Sequence, residues 1–390
     1  FGASGAGLVW CEATAVVPEG RANPNQLMIN ERTAEHLGDL RSRMVATRAR
    51  EFDGARLVSG LQLTHSGRWS RPFGDPEPRV TFRQPQLDER LPVSDASVLS
   101  DDELDELVDA YVRAGILAAD AGFDFVDIKH CHGYLLHELL SARTRPGRYG
   151  GSFEGRTRVL RSVVGQLKAQ RPNLTIAVRL SAVDPGPYLE DADGVGYPQP
   201  LDQPSYVFGP DDEGNPLGET HQFLDLCSEL GVSLVCVTIG SPYYNPHVTR
   251  PAYHPALDGY LPPREPLAEV AYHLETTAAL TRAHPDLVLI GSGYSYLQEL
   301  LPNAAQYQVR TGGAGMVGIG RMALSYPSLP ADVLAGRPID TKMICRTFSD
   351  CTTGPRIGLA SGCYPLDEHY KKSEARVAIT AAKKQKRSRS

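Results

Sequence analysis

Lys129, His130, Cys131 and His132 stand side by side in this sequence, followed by Gly133 and Tyr134. Each of the four side chains can donate a proton, ligate a metal or attack an electrophile, and Tyr134 adds a phenol. The residues before them, Phe123, Phe125, Val126 and Ile128, make a short apolar run of β type. The polar cluster therefore falls where a strand stops. In parallel α/β architectures, ligands sit beyond the carboxyl ends of strands. The bland alternative is a strand end with stray polar groups, and the run by itself does not decide between them.

Other apolar runs end in polar groups too. Leu57 to Leu63 carries Gln62 and runs into Thr64-His65, followed by Ser66-Gly67-Arg68. An amide such as Gln62 both donates and accepts, which suits the edge of a heterocycle. Arg179 closes the run Leu174–Val178, and a cation inside an apolar strand is costly unless it is paired or used. Gly291-Ser292-Gly293 follows one late run, and Gly318-Ile319-Gly320-Arg321 follows another. Small residues let main-chain N–H groups approach a phosphate, and Arg321 adds charge. Tyr243, Tyr244 and His247 lie on a Pro/Tyr-rich loop, either lining a pocket or only packing that loop.

The elements that must position these groups alternate. β-type runs begin near Leu8, Leu57, Phe123, Leu174, Leu234, Leu287 and Gly315, with helical periodicity between them. Ser100 with Glu103 forms a capping-box start, and Ser152 a helix cap. This pattern predicts a parallel sheet with crossover helices: a TIM (β/α)8 barrel whose first strand is missing from the chain. A doubly wound open sheet is the other solution, but no Gly-x-Gly-x-x-Gly turn follows the first run. The expected domains are a barrel over 1–340, an extension over 341–376 and a basic, disordered tail over 377–390. Long loops at 69–98 and 184–218 interrupt the pattern.

A net charge of −6 argues against a broad nucleic-acid surface, and no apolar run is long enough to span a bilayer. The expected partner is a small-molecule substrate, with no nucleic acid and no membrane; self-association into a homo-oligomer stays open. Seven cysteines, an odd count in a long chain, fit a reducing, cytoplasmic setting better than a disulfide framework. The chain begins at Phe1 with no Met and no signal-peptide pattern, and is read as a piece that has lost its natural start.

The segments Val126-Asp127-Ile128-Lys129-His130-Cys131-His132-Gly133-Tyr134-Leu135-Leu136 and Tyr149-Gly150-Gly151-Ser152-Phe153-Glu154-Gly155-Arg156 resemble the signature of the Old Yellow Enzyme family of FMN-dependent oxidoreductases, nearest its dienoyl-CoA reductase-like branch. Leu61-Gln62-Leu63-Thr64-His65-Ser66-Gly67-Arg68 is similar to another of its motifs. The resemblance implies FMN as cofactor, NADH or NADPH as reductant, and hydride transfer to an activated alkene such as an α,β-unsaturated carbonyl. It implies that Gln62 and Arg179 face the flavin ring, and that Gly291, Ser292, Gly293, Gly318, Gly320 and Arg321 hold its phosphate. His132 matches the second member of the family's substrate-binding pair and Tyr134 its proton donor, with His65, Tyr243 and Tyr244 as pocket candidates. Lys129 departs from the pattern, because the family has His there. Cys131 reads as a small buried residue, and His130 points away from the site by strand alternation.

In longer relatives a four-cysteine run binds a 4Fe–4S cluster. Here Cys345, Cys351 and Cys363 match three positions and Phe348 fills the remaining one, so the cluster is expected to be lost. The alternative function is a repurposed, redox-inactive barrel that binds flavin or another phosphate ligand.

Overall fold

The structure is a computed structural model and describes residues 1–200 and 207–387. The strands, in chain order, are β1 (Leu8–Ala15), β2 (Val58–Thr64), β3 (Phe125–Ile128), β4 (Thr175–Ser181), β5 (Tyr188–Glu190), β6 (Gly196–Pro198), β7 (Leu234–Thr238), β8 (Val288–Gly291) and β9 (Met316–Val317). Seven of them form one sheet in the order β1-β2-β3-β4-β7-β8-β9, and all its ladders are parallel. Helices Ala34–Glu51, Asp101–Asp120, Arg158–Gln170, Gly218–Glu229, Pro266–Ala283 and Leu301–Arg310 make the crossovers. A parallel ladder needs such crossovers, and covering the sheet with them makes its strands apolar.

The sheet is curled. Leu8 and Trp10 of β1 share one cluster with Val58, Phe125, Ala177, Leu234, Cys236 and Ile290. Side chains from β1 and β8, far apart in strand order, meet only if the sheet wraps around them. The alternate residues, such as Leu61, Val126, Ile128, Val178 and Val235, belong to the larger shell between strands and helices. This is the (β/α)-barrel arrangement expected from the sequence, with seven strands and with β1 and β9 at the two edges of the sheet. Because every barrel strand runs the same way, Thr64, Lys129, Ser181, Thr238, Gly291 and Val317 all emerge at one end.

The two expected caps form as read. Ser100 Oγ accepts from Glu103 N (3.2 Å) while Glu103 answers at Ser100 N (2.8 Å), and Ser152 Oγ accepts from Gly155 N (3.1 Å). The helical stretch after Ser152 is split at Thr157 into Phe153–Arg156 and Arg158–Gln170. The loop at 69–98 is folded onto the barrel, with Val80 N bonding Ser97 O (2.8 Å) and Thr81 fully buried. The stretch at 184–218 carries the β5–β6 hairpin; its residues 201–206 lie outside the described set.

The chain beyond 340 differs from expectation. Glu374–Arg387 is a helix, so the expected boundary at 377 falls inside it; residues 388–390 of the expected tail lie outside the described set. Two of the basic residues that suggested a solvated end have partners. Lys383 Nζ pairs with Asp350 and bonds Phe348 O (2.8 Å), and Lys386 Nζ bonds Gly259 O. Charge composition cannot show such pairing when the partners lie far away in sequence.

Candidate active site

Strand alternation sorts the polar run as the sequence implied. Asp127 and Lys129 point into the barrel. His130 faces outward, its Nδ1 bonded with Ile128 O (2.8 Å) and its ring 5.3 Å from Phe223. Burial pushes His130 down to about 4, so it is a neutral part of the shell. Cys131 is fully buried and its thiol is pushed up to about 12 by burial, which leaves it inert.

His132 is held in a left-handed backbone (φ +69), a conformation that costs a non-glycine residue about 1 kcal/mol or more. Two hydroxyls fix it there. Ser181 Oγ accepts from His132 N (3.0 Å), and Ser241 Oγ donates to His132 O (2.7 Å). The next residue is also left-handed, and at Gly133 a Cβ would stand 2.7 Å from the Tyr244 ring, so glycine is required there. Burial and the Arg179 and Lys129 cations hold the His132 imidazole neutral, well below the usual histidine range. Its Nε2 is buried without a partner among the described residues.

Asp127 is the hub that sequence reasoning passed over. Its Oδ2 accepts from Trp10 Nε1 (2.8 Å) and from Gln62 Nε2, and its Oδ1 accepts from Arg179 N (2.7 Å). The register places Gln62 directly beside Asp127 across β2 and β3. Burial raises the Asp127 carboxyl to about 6, against the pull of these donors. The network uses part of the Gln62 amide nitrogen and leaves its carbonyl oxygen for a ligand donor. The available signal was a carboxylate at an inward position of an apolar strand. Asp127, on the adjacent strand, supplies the carboxylate near Arg179, whose Nε is buried and unbonded among the described residues.

Lys129 is 4% exposed, and its Nζ lies 3.7 Å from the centre of the Tyr134 ring. No carboxylate pairs with it among the described residues. Burial, assisted by Arg179, pushes it down to about 8. The Tyr134 hydroxyl meets the Tyr243 hydroxyl at 3.0 Å, and burial raises the phenol well above its usual range. Tyr243 stacks on Trp69 at 4.4 Å and 7°, beside the Tyr134 hydroxyl. Tyr244 instead donates to Asp184 Oδ2 (2.6 Å) and anchors the loop from inside. His65 is also structural: its Nδ1 accepts from Gly67 N (3.0 Å), and burial pushes it down to about 3.

At the far side, Gly318 N bonds Gly291 O (2.8 Å) and Ser292 Oγ donates to Val237 O (2.7 Å). Gly293 has φ +96, and a Cβ there would stand 2.9 Å from the His273 ring; at Gly320 nothing lies within 4 Å of a Cβ, so that side is open. Arg321 Nη2 donates to Pro251 O (2.8 Å), while Nη1 is buried and unbonded among the described residues. Burial and neighbouring Arg250, which the sequence did not single out, push Arg321 down to about 10. Lys129, Arg179, Arg250 and Arg321 therefore ring one end of the barrel with Asp127 as the facing carboxylate. Buried donors with spare N–H groups and an excess of positive charge fit a flavin mononucleotide: Arg321 for its phosphate, Arg179 and Gln62 for its ring.

The extension packs against the same loop. Helix Asp350–Arg356 ends in Arg356, whose guanidinium lies 5.3 Å from the Tyr243 ring centre and donates to Pro242 O (3.1 Å). Nothing in the sequence motif pointed to it. Cys345, Cys351 and Cys363 are free thiols; Arg250 Nη2 lies 3.7 Å from Cys351 Sγ, and Cys345 N lies 3.3 Å from Met322 Sδ. Among the described residues no three His, Cys, Asp or Glu side chains are placed to hold a metal. Three thiols with Phe348, itself 39% exposed, in the remaining position do not fit a four-thiolate cluster. No described helix is long and apolar enough to cross a membrane.

Comparisons with known proteins agree with the fold. Residues 2–193 match the NADH:flavin oxidoreductase / NADH oxidase family. The chain is 32% identical over 180 residues to an NADPH dehydrogenase of Halalkalibacterium halodurans, covering 46% of this chain and 49% of that one. It is 27% identical over 307 residues to an NADPH dehydrogenase of Bacillus cytotoxicus, covering 76% and 75%. The chain thus spans about half the length of the first relative. Among solved structures, morphinone reductase superposes with a TM-score of 0.57 at 21% identity, over 87% of this chain and 80% of that one, which shows the shared fold.

Proposed function

Because residues 2–193 of the chain match the NADH:flavin oxidoreductase / NADH oxidase family, we propose that it is an FMN-dependent oxidoreductase that takes reducing equivalents from NADPH or NADH and passes them to an activated alkene. The observation that carries this reading is the set of buried nitrogens without a partner at one end of the barrel: Arg179 Nε and Arg321 Nη1 on cations, and Nε2 of the neutral His132. Bound FMN supplies a two-electron carrier between nicotinamide and acceptor. The residues supply the rest. Arg321 neutralises the phosphate, and Gln62, oriented by Asp127, offers its carbonyl oxygen to an N–H of the ring system. Arg179 stands where it would stabilise negative charge on the ring. His132 and Lys129 donate toward the carbonyl oxygen of an enone. Tyr134, kept protonated by burial, holds a proton for the adjacent carbon, and Tyr243 orients that hydroxyl. Trp69 and Tyr243 form an apolar wall that excludes water.

The test is an absorbance spectrum of the protein reconstituted with FMN, before and after anaerobic NADPH, followed by cyclohexenone. Bleaching on NADPH and recovery on enone support the reading. A protein that takes up FMN but is never bleached would return the weight to a redox-inactive flavin-binding barrel.

A further inference from the structure

Lys129 has more chemistry than a hydrogen-bond donor needs. It is a primary amine at a strand end, 4% exposed, on the face of an aromatic ring 3.7 Å away. No described carboxylate pairs with it. Asp127, two residues earlier, has its oxygens committed to Trp10, Gln62 and the main chain of Arg179. The Arg179 guanidinium beside Lys129 disfavours the ammonium, against a smaller opposite pull from Asp127. Desolvation and the neighbouring Arg179 cation favour the free amine over the ammonium, and they outweigh the opposite pull of the Tyr134 ring face and of Asp127; desolvation beside another cation turns a lysine into a carbonyl nucleophile. The lowering of Lys129 to about 8 agrees with that. An amine with that value is about one-tenth unprotonated at pH 7, against less than a thousandth for an ordinary lysine.

We propose that Lys129 captures carbonyl compounds covalently, its Nζ condensing with an aldehyde or ketone held against Tyr134 and Tyr243. The nitrogen lone pair forms the N–C bond. The carbonyl oxygen takes up the amine proton and one proton from solvent and leaves as water, and a protonated imine remains. No electrons change hands, so the step needs no redox partner. In an α,β-unsaturated substrate the iminium withdraws electrons from the β-carbon more strongly than a hydrogen-bonded carbonyl does. The inference rests on the reading that a carbonyl compound enters this pocket.

The experiment treats the protein, with and without FMN, with 3-phenylpropanal and sodium cyanoborohydride at pH 7, and maps the alkylated lysines by peptide mass spectrometry. A saturated aldehyde forms imines but cannot undergo conjugate addition. The expected result is a single dominant adduct on Lys129, formed about tenfold faster than on exposed Lys384, with burial offsetting part of the larger gain in free amine. Alkylation of Lys384 with Lys129 unmodified overturns the proposal. The flavin spectrum is read on the same samples, so the two readings fail separately. Reduction of enone without an adduct removes the imine alone, and an adduct on a protein that takes up no flavin removes the oxidoreductase reading alone.

Discussion

Replacing Glu138 with alanine tests how the loop that carries Trp69 is fastened to the helix that follows Tyr134. Arg68, next to Trp69, has a side chain with no exposure at all. Its Nε donates to Glu138 Oε2 (2.7 Å), its Nη1 pairs with Asp88, and its Nη2 donates to Phe82 O (3.3 Å). Glu138, on helix Leu135–Leu140, accepts at its other oxygen from Thr81 N (2.8 Å) and Thr81 Oγ1 (3.0 Å). Asp88 cannot take over, because Arg83 already holds its second oxygen (2.6 Å). Removing one partner of a buried pair costs about 3–5 kcal/mol. The stranded Thr81 N–H accounts for about 1 kcal/mol of that figure. Glu138→Ala should therefore lower the unfolding free energy by about 4 kcal/mol in urea titrations followed by tryptophan fluorescence, with Trp69 as a nearby reporter. Arg68→Met combined with Glu138→Leu should recover at least half of the loss, since the stranded charge is gone. A loss below about 1 kcal/mol for Glu138→Ala, or a double variant worse than the single, refutes the reasoning.

Acid stability has a definite sign. His65, His130, His137 and His273 are pushed by burial down to about 3, 4, 3 and 4. The unfolded chain binds protons on them near pH 6.5 and the folded one does not, so stability falls as pH drops from about 6.5 toward 4. Asp127, raised to about 6, works the other way over about pH 6 to 4, because the folded state takes its proton first. Near pH 5 the lowered histidines, His132 and His247 among them, outweigh the raised carboxyls Asp127, Asp184 and Glu12, and the net loss is a few kcal/mol per pH unit; urea midpoints at pH 7, 6 and 5 check it, and a flat series contradicts it. Arg356→Ala should raise KM for an enone about tenfold and change kcat less than about twofold, because it removes a stack and a main-chain bond behind Tyr243 and no group aimed at the reacting atoms. Ser241→Ala should lower kcat more than stability. It frees the left-handed His132 from one of its two hydroxyl anchors at a net cost of about 1 kcal/mol.

Much of this site could be read from the sequence because it depends on local order. The split between Lys129 facing in and His130 facing out follows from the two-residue period of a strand. The caps at Ser100 and Ser152 depend on residues three apart. Asp127 was invisible for the opposite reason. Its meaning needs Trp10, Gln62 and Arg179, which lie on three other strands, and only the sheet's register brings them together. Tyr243 and Tyr244 are adjacent in sequence and part company because Asp184 is placed to take one hydroxyl and Tyr134 the other. Arg356 and the final helix arrive by long-range docking, which a reading of charge runs treats as solvent-facing by default.

The excess of buried cations implies a trade of stability for binding. Arg321 is desolvated beside Arg250, has one described hydrogen bond, and keeps Nη1 unbonded. A buried charge in that state is a net cost to the folded protein until an anion arrives. Arg321→Met keeps much of the stem and removes the charge. The flavin-free variant should be more stable than the parent by about 1–2 kcal/mol. The same change should weaken FMN about a hundredfold, near 3 kcal/mol for a lost charge-assisted contact. Riboflavin, which lacks the phosphate, should bind parent and variant within about threefold of each other. Ligand-induced stabilisation provides the readout. At a ligand concentration of about 100 Kd, FMN should add about 2.7 kcal/mol to the parent, and at that same concentration well under 1 kcal/mol to the variant. A flavin-free Arg321→Met that is less stable than the parent would mean that the guanidinium is already compensated within the chain, and the phosphate would have to be sought elsewhere. If riboflavin and FMN lost affinity together, Arg321 would be acting on the ring and not on the phosphate.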